Sequence, residues 1–526
     1  HNRTHSFPTR RSSDLAEGLE EIRQQTTAVP STDQRQIYVV GRPPLGMVEH
    51  FKDRVRERKK IGQLLAEPTT RLVSVIGHGG MGKTALVSKI LRDLEQHRWP
   101  HTNDDIPLDG IVYLSTRTAG ISLERLFLDC AKLLGGEQKK RLNNIWTNPK
   151  LSTDDKIAQL LDALKEGQFV ILLDNLEDLL DDKGLLMDEN LRLFFDQSLR
   201  QAHGARLVIT SRVAVTFGRE VMRYDHQIRL LEGLPVEEGI ELLRELDPNG
   251  DYGLQGASAE QLAQVVQLVH GVPRALEVMA GILANDPFAS LDEVIAQFYE
   301  QEDVVEALIE ENYKRLDPNI RRVIEALAVF RRPVPSLAVD YVLEPFVPGL
   351  DVPKIIYRLA HTNIVSVDRA TKTIVLHPID QGYAYTQLPE EEAGHVNYTR
   401  QALERRAADY YVQLRTPEEI WKTIDDLEPQ LVEFEHRVRA GDYEGAYQVI
   451  DPIDYDYLYL WGYYFRLRES HERLLGHLTY PTSQMGNLGS LGRIYRLLRQ
   501  YEQAIKFHEQ ALNIAHEIGN PGGKIH

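Results

Sequence analysis

Residues 72–84, LVSVIGHGGMGKT, constrain this chain more than any other stretch. Apolar residues of strand character, 72–76, run into Gly77, and Gly77, Gly82, Lys83 and Thr84 match G-x-x-x-x-G-K-[ST] at every position. A helical apolar pattern (Leu86, Val87, Ile90, Leu91) follows at once. A glycine-rich turn between a buried strand and a helix N-terminus aims successive backbone N–H groups into one concavity, where the helix dipole adds partial positive charge. Gly77, Gly79, Gly80, Gly82 and Ala85 are the expected backbone of that phosphate cradle. Lys83 would reach the β- and γ-phosphates, and the Thr84 hydroxyl would help hold Mg²⁺.

From residue 72 to about 231, apolar strands alternate with amphipathic helices, the pattern of a parallel sheet covered on both faces. Strands are expected at 72–76, 110–114, 169–173, 206–210 and near 228–230, with ligands bound beyond their C-terminal ends. Two of those ends carry chemistry. The run FVILLD ends in Asp174, a carboxylate suited to the metal side of the site, while ARLVITSR ends in Thr210, Ser211 and Arg212, able to sense a γ-phosphate. The plain alternatives are an Asp that opens a turn and an Arg that caps a strand for solubility.

At 526 residues the chain is too long for one core, and three or four domains are expected. A composition of 42% hydrophobic and 26% charged residues suits a soluble globular protein, and no window approaches the ~18 uninterrupted apolar residues of a membrane span. The formal charge of −17 argues against broad nucleic-acid binding. The single cysteine, Cys130, makes no internal disulfide, and no signal sequence is evident, so a cytoplasmic location is expected.

Residues 1–15 contain HSFPTRRSSDL, which reads as a translated sequencing-adapter oligonucleotide; they are expected to be non-native, with the true N-terminus missing. Residues 16–38 read as a linker ending that missing region, and 39–234 as the nucleotide-binding domain. Helical spacing then dominates 235–303, in Ile240, Leu242, Leu243 and Leu246 and again in Leu262, Val265, Val266 and Val269. Residues 304–390 hold helices near 319–330 and 352–360 followed by the hairpin pattern IVSVDRATKTIVLHP, which suits a winged helix.

Residues 395–526 are helical and tyrosine-rich. Leu488, Leu491, Gly492, Tyr495, Ala504, Ala511 and Leu512 fall on the spacing of a tetratricopeptide repeat (TPR), with the small residues letting two helices approach. The upstream DYEGA at 442–446 echoes QYEQA at 500–504, with degenerate or inserted helices between. Only one repeat is clear, and the array is expected to be truncated. Core packing accounts for the tyrosines more simply than a ligand groove does.

Together these residues resemble the STAND class of signal-transduction ATPases and its NB-ARC branch. Residues 51–65, with Asp53, Arg54 and Glu57, are similar to the Gly-Arg-x-x-Glu segment that precedes the phosphate loop in that family, and LEGLPVEEGIELL looks like its passage into the helical subdomain. HGVPRAL matches the Gly-x-Pro motif, which implies that Pro273 packs near the adenine. Leu376-His377-Pro378 sits where the family has Met-His-Asp, which implies that His377 touches the β-phosphate of ADP and holds a closed state.

The resemblance implies a multidomain α/β + α protein: a P-loop parallel-sheet NTPase domain, a helical subdomain, a winged helix and a TPR-like region. It also implies an ATP/ADP switch with Mg²⁺, Asp174, Glu177 and Arg212 as catalytic residues, and Thr84 and Asp174 on the metal side. A ligand or protein at the repeats and self-association in the ATP state complete the expected picture, with no membrane contact. Two departures matter: the acid that follows the histidine in the family stands here at Asp380, the third position after His377, and the residue after Asp174 differs. Asn175 stands where the family has a second acid, and an amide cannot accept a proton from attacking water, so either Glu177 substitutes or hydrolysis is slow.

Three rival readings remain. A cycling ATPase would show steady turnover. A winged-helix transcriptional regulator would need more cations than Lys354 and Arg358 on its candidate recognition helix. A nucleotide-inactive TPR scaffold would not need Lys83 and Thr84.

Overall fold

The computed structural model describes residues 37–41, 54–96, 98, 108–116, 120–148, 150–218, 220–286, 288–298, 304–362, 364–369, 371–390 and 397–519. The expectations for 1–15 and nearly all of the 16–38 linker, for Asp53, and for the chain end after 519 lie outside these residues.

Within the described residues the first part of the chain runs β1 (Tyr38–Val40), α1 (Val55–Ala66), β2 (Leu72–Gly77), α2 (Lys83–Glu95), β3 (Gly110–Ser115), α3 (Leu123–Leu134), α4 (Gly136–Thr147), α5 (Thr153–Ala163), β4 (Phe169–Asp174), α6 (Glu189–Arg200), β5 (Ala205–Ser211) and β6 (Asp225–Leu230). The six strands form one sheet in the order β1-β3-β4-β5-β2-β6, with every neighbouring pair parallel. Strands β2 to β5 are buried along their whole length, because the sheet is covered on both faces. That double burial is why they read as unbroken apolar runs. Strand β1 was not foreseen; three residues at a sheet edge are too few to carry a periodic signal.

Register decides where the chemistry lies. Ile76 pairs with Ser211, Gly77 with Leu230, and Ser115 with Asp174, so the C-terminal ends of the central strands form one rim. Polar caps start the covering helices: Ser122 accepts from the Arg125 N–H, and Ser152 and Asp155 form a reciprocal capping box.

A helical unit follows, with α7 (Val236–Glu245), α8 (Ala259–Leu268), α9 (Pro273–Asn285), α10 (Leu291–Phe298) and α11 (Val304–Arg315) sharing one core around Leu243, Leu262, Leu276 and Leu308. Next come α12 (Pro318–Phe330), α13 (Ser336–Leu343), α14 (Val352–His361), β7 (Val365–Asp368), β8 (Thr373–Leu376) and α15 (Pro378–Gln387). The two short strands are antiparallel, with Val365 opposite Leu376, and close onto α12 to α14 as a helix-and-hairpin unit. Proline at the first turn of α9, α12 and α15 suits a position whose backbone N–H has no helical partner.

The chain ends in α16 (Arg400–Gln413), α17 (Glu428–Arg439), α18 (Tyr443–Ile453), α19 (Tyr464–Leu474), α20 (Pro481–Leu497) and α21 (Tyr501–Glu517). Tyr443 and Tyr501 each open the second helix of a pair, which explains the echo between their segments. A π-helical turn, Asp454–Tyr459, and α19 separate the two. A Cβ on Gly492 would sit 2.5 Å from the His508 ring, so the glycine leaves room for that ring where α20 and α21 meet. Tyr410, Tyr411, Tyr463 and Tyr464 are buried, and Tyr443, Tyr447, Tyr457 and Tyr459 pack partly buried against the core, whereas Tyr455 is exposed, so core packing accounts for most of these tyrosines. Among the described residues no helix is long and apolar enough to cross a membrane.

Candidate functional site

A cavity of about 530 Å³ opens at the rim of strand ends. It gathers Gly79, Gly80, Gly82, Lys83, Thr84 and Ala85 from the loop between β2 and α2, Glu177 and Arg212 from beyond β4 and β5, Pro273 from α9 and His377 from the start of α15. Five separated stretches of sequence thus meet at one place. Gly77 lies at the end of β2, and its carbonyl belongs to the same loop.

The loop takes its shape from backbone that side chains rarely tolerate: Gly80 has φ +76° and Gly82, which caps α2, has φ +81°. Lys83 is buried and donates to the carbonyls of Gly77 at 2.7 Å and His78 at 3.1 Å. Burial holds its ammonium below the usual lysine range, with the charges of Glu177 and Asp174 opposing that shift.

Asp174 is 1% exposed and is the most tightly enclosed acid of the site. Burial pushes its carboxyl upward, while hydrogen bonds donated by Thr210, by the Tyr113 hydroxyl at 3.0 Å and by the Thr84 hydroxyl at 3.1 Å pull it back. The separation of the Thr84 and Asp174 oxygens is close to the roughly 2.9 Å between neighbouring ligands of an octahedral Mg²⁺. Two hard oxygens beside a phosphate cradle fit that ion. Among the described residues no trio of His, Cys, Asp or Glu could hold a metal by itself, so such an ion would be held together with a nucleotide.

Asn175 adopts the left-handed region at φ 61° and turns the chain sharply out of β4. The next turn carries Glu177 back toward β5, where its carboxylate pairs with the Arg212 side chain at 3.2 Å and accepts from the Arg212 backbone N–H at 3.3 Å. The acid and the guanidinium singled out from the sequence therefore hold each other.

Two units close over the loop. Arg274, directly after Pro273, is 3% exposed; its backbone N–H donates to the Gly80 carbonyl at 3.4 Å, and its guanidinium grips Asp380 of α15 at 2.6 and 2.8 Å and Glu277 at 2.6 Å. The charges of Asp380 and Glu277 outweigh the burial of Arg274 and hold it firmly protonated. Ile379 covers the loop from the helix-and-hairpin unit: a Cβ on Gly79 or Gly80 would come within 3.2 or 3.3 Å of its Cδ1.

His377 caps α15, and its Nδ1 accepts from the Ile379 N–H at 3.3 Å. This bond puts the proton of the neutral ring on Nε2, where it can be donated to an anion. The other wall is α14 itself, through Ile356, Tyr357, Ala360 and His361. The helix that would read DNA in a winged helix thus faces the cavity.

Sequence reading missed the site roles of Arg274 and Tyr113, and those of Arg54 and Asp380 in their present form. Arg54 is buried and donates to the Met81 carbonyl at 2.9 Å, bracing the outer side of the loop. A lone cation inside the apolar run of α9 was the available signal for Arg274, but its partner lies 106 residues away.

Comparison with known proteins agrees with this fold. A profile of AAA domains matches residues 67–211, and a tetratricopeptide-repeat profile matches 488–522. An uncharacterized WD repeat-containing protein of Nostoc sp. is 24% identical over 314 residues, 56% of this chain and 23% of that protein. The ToMV resistance protein Tm-2(2) of Solanum lycopersicum is 28% identical over 222 residues, 40% of this chain and 22% of its own length. The chain thus spans less than a quarter of these curated relatives. Among solved structures, a STAND protein with a tetratricopeptide repeat sensor from Pyrococcus horikoshii superposes with a TM-score of 0.53 at 15% identity, covering 93% of this chain and 67% of that one.

Proposed function

We propose that this chain, which has the fold of a STAND-class P-loop NTPase with tetratricopeptide repeats, is an ATP/ADP-controlled signalling switch. One observation carries the reading: Arg274 and Ile379, from the two units after the sheet, pack directly on Gly80 of the phosphate loop. Whatever occupies the loop and whatever holds those units together must therefore influence each other, which is the linkage a switch requires.

In this reading the loop N–H groups and Lys83 bind the phosphates, Pro273 and Leu242 enclose the base, and His377 donates from Nε2 to a phosphate of ADP in the closed arrangement. Thr84 and Asp174 would hold Mg²⁺, which supplies charge neutralisation when bound. A third phosphate would meet Arg212 and compete with Glu177 for its guanidinium, freeing that carboxylate to orient water. Recognition of a ligand or protein by the repeats would favour opening and exchange of ADP for ATP, followed by self-association; such a signal must bind the open form more tightly than the closed one.

The test is the identity and stoichiometry of nucleotide released when the purified chain is denatured. Close to equimolar ADP is expected. No nucleotide, together with no uptake of added MgATP, would defeat the reading and favour a scaffold.

A second expectation concerns turnover. Glu177→Gln should leave ADP affinity nearly unchanged and lower the residual hydrolysis rate about 100-fold, the usual contribution of a positioned base. Hydrolysis that persists at the unsubstituted rate in a phosphate-release assay would take Glu177 out of the chemistry.

A further inference from the structure

Strand β3 reads GIVYLS and is buried along its whole length, so a tyrosine at position 113 must find a partner for its hydroxyl inside the sheet lobe. The register supplies one. Tyr113 stands opposite Leu172 of β4, and side chains two residues apart share a face, so the long phenol reaches diagonally to Asp174, the last residue of that strand. Tyr113 is 3% exposed, and its hydroxyl donates to Asp174 Oδ2 at 3.0 Å. The backbone beside it is pinned as well: a Cβ on Gly41, where the chain leaves β1, would collide with the Tyr113 carbonyl oxygen.

The other oxygen of the same carboxylate, Oδ1, is held from two sides. Thr210, on the neighbouring strand β5, donates to it and accepts from the Asn175 N–H at 2.9 Å, and Thr84 donates to it at 3.1 Å from the first turn of α2. Among the described residues, three hydroxyls thus fill three of the roughly four acceptor positions of the carboxylate and leave one for a metal ion or a water bound to it. Rotation of a carboxylate about its last bond is otherwise broad and two-fold. Once the Thr84 oxygen turns to a cation, Thr210 on one oxygen and Tyr113 on the other keep the plane in place.

We propose that Tyr113 is a positioning residue for the metal side of the nucleotide site, holding the Asp174 carboxylate in the rotation that keeps its remaining acceptor position available to Mg²⁺. The ring alone would serve packing, and phenylalanine would do as well; the hydroxyl serves the acid. The inference rests on the switch reading above, and it adds the residue on which Mg²⁺-dependent retention of nucleotide depends.

The test is Tyr113→Phe in the full chain, read by Mg²⁺ dependence and not by turnover. In EDTA its affinity for a fluorescent ADP analogue should equal that of the unsubstituted chain, because the loop N–H groups and Lys83 need no metal. The Mg²⁺ concentration that gives half-maximal binding of a non-hydrolysable fluorescent ATP analogue should rise about 10-fold or more, the common cost of losing a hydrogen bond to a metal-binding carboxylate. In an Asp174→Asn background the same change should add nothing further. An unchanged Mg²⁺ requirement, a loss of affinity in EDTA as large as the loss in Mg²⁺, or a further loss in the Asp174→Asn background would overturn the positioning role and leave the switch standing. Failure of the unsubstituted chain to bind either analogue would overturn both.

Discussion

Replacing Lys83 with alanine is expected to weaken ADP and ATP binding roughly 100-fold or more, because a buried ammonium that meets two phosphates makes charge-assisted hydrogen bonds of about 1.5–3 kcal/mol each. The fold should survive the change. Among the described residues Lys83 donates only to the Gly77 and His78 carbonyls of its own loop, at the rim of the sheet. Thermal unfolding separates the two effects: without nucleotide the variant should melt close to the unsubstituted chain, whereas the rise in Tm produced by saturating ADP should vanish. A variant that retains the full ADP-induced rise would remove Lys83 from the binding site.

The second large effect lies where the two closing units join. Arg274 and Asp380 form a buried ion pair, and the half-buried Glu277 adds a second anion to the same guanidinium. Arg274→Ala would strand Asp380, 7% exposed, beside Glu277, so it should cost about 3–5 kcal/mol and release bound ADP quickly. Asp380→Ala should cost less, because Glu277 still neutralises Arg274. Replacing both members with apolar residues of similar size, Arg274→Met with Asp380→Leu, should recover much of the loss, as buried ion pairs commonly give way to well-packed hydrocarbon at little cost. Denaturant titrations of the three variants measure this order; single variants within about 0.5 kcal/mol of the unsubstituted chain would mean that the pair does not hold the units together.

Much of this site was legible because its signals are local. The phosphate loop is contiguous, and Asp174 and Arg212 announce themselves as polar residues ending apolar runs, which is what the rim of a doubly covered parallel sheet requires. His377 and Pro273 were found through resemblance, and the structure brings both to the cavity wall. The contacts that were not legible join distant stretches of sequence. Arg274 meets Asp380 and Trp146 meets Gly462 only after separate units have packed, Arg54 meets Met81 only once the sheet lobe has closed on itself, and no spacing within one segment encodes such meetings. The Glu177–Arg212 pair was half visible: each residue stood out alone, but the left-handed turn at Asn175 that brings them together gives no periodic signal.

The bare loop glycines under Ile379 have a mechanical meaning. At Gly79 and Gly80 the clearance to the neighbouring side chains is 3.0 to 3.4 Å for a single added carbon, which is less than an ordinary van der Waals contact. The seam therefore has no slack, and anything thicker than a hydrogen acts there as a shim. Ile379 and Arg274 belong to the two units that follow the sheet, so a change of a few tenths of an ångström in the thickness of the loop must be taken up by both. Two residues that have no side chain thus set the thickness of the joint between the loop and the units above it.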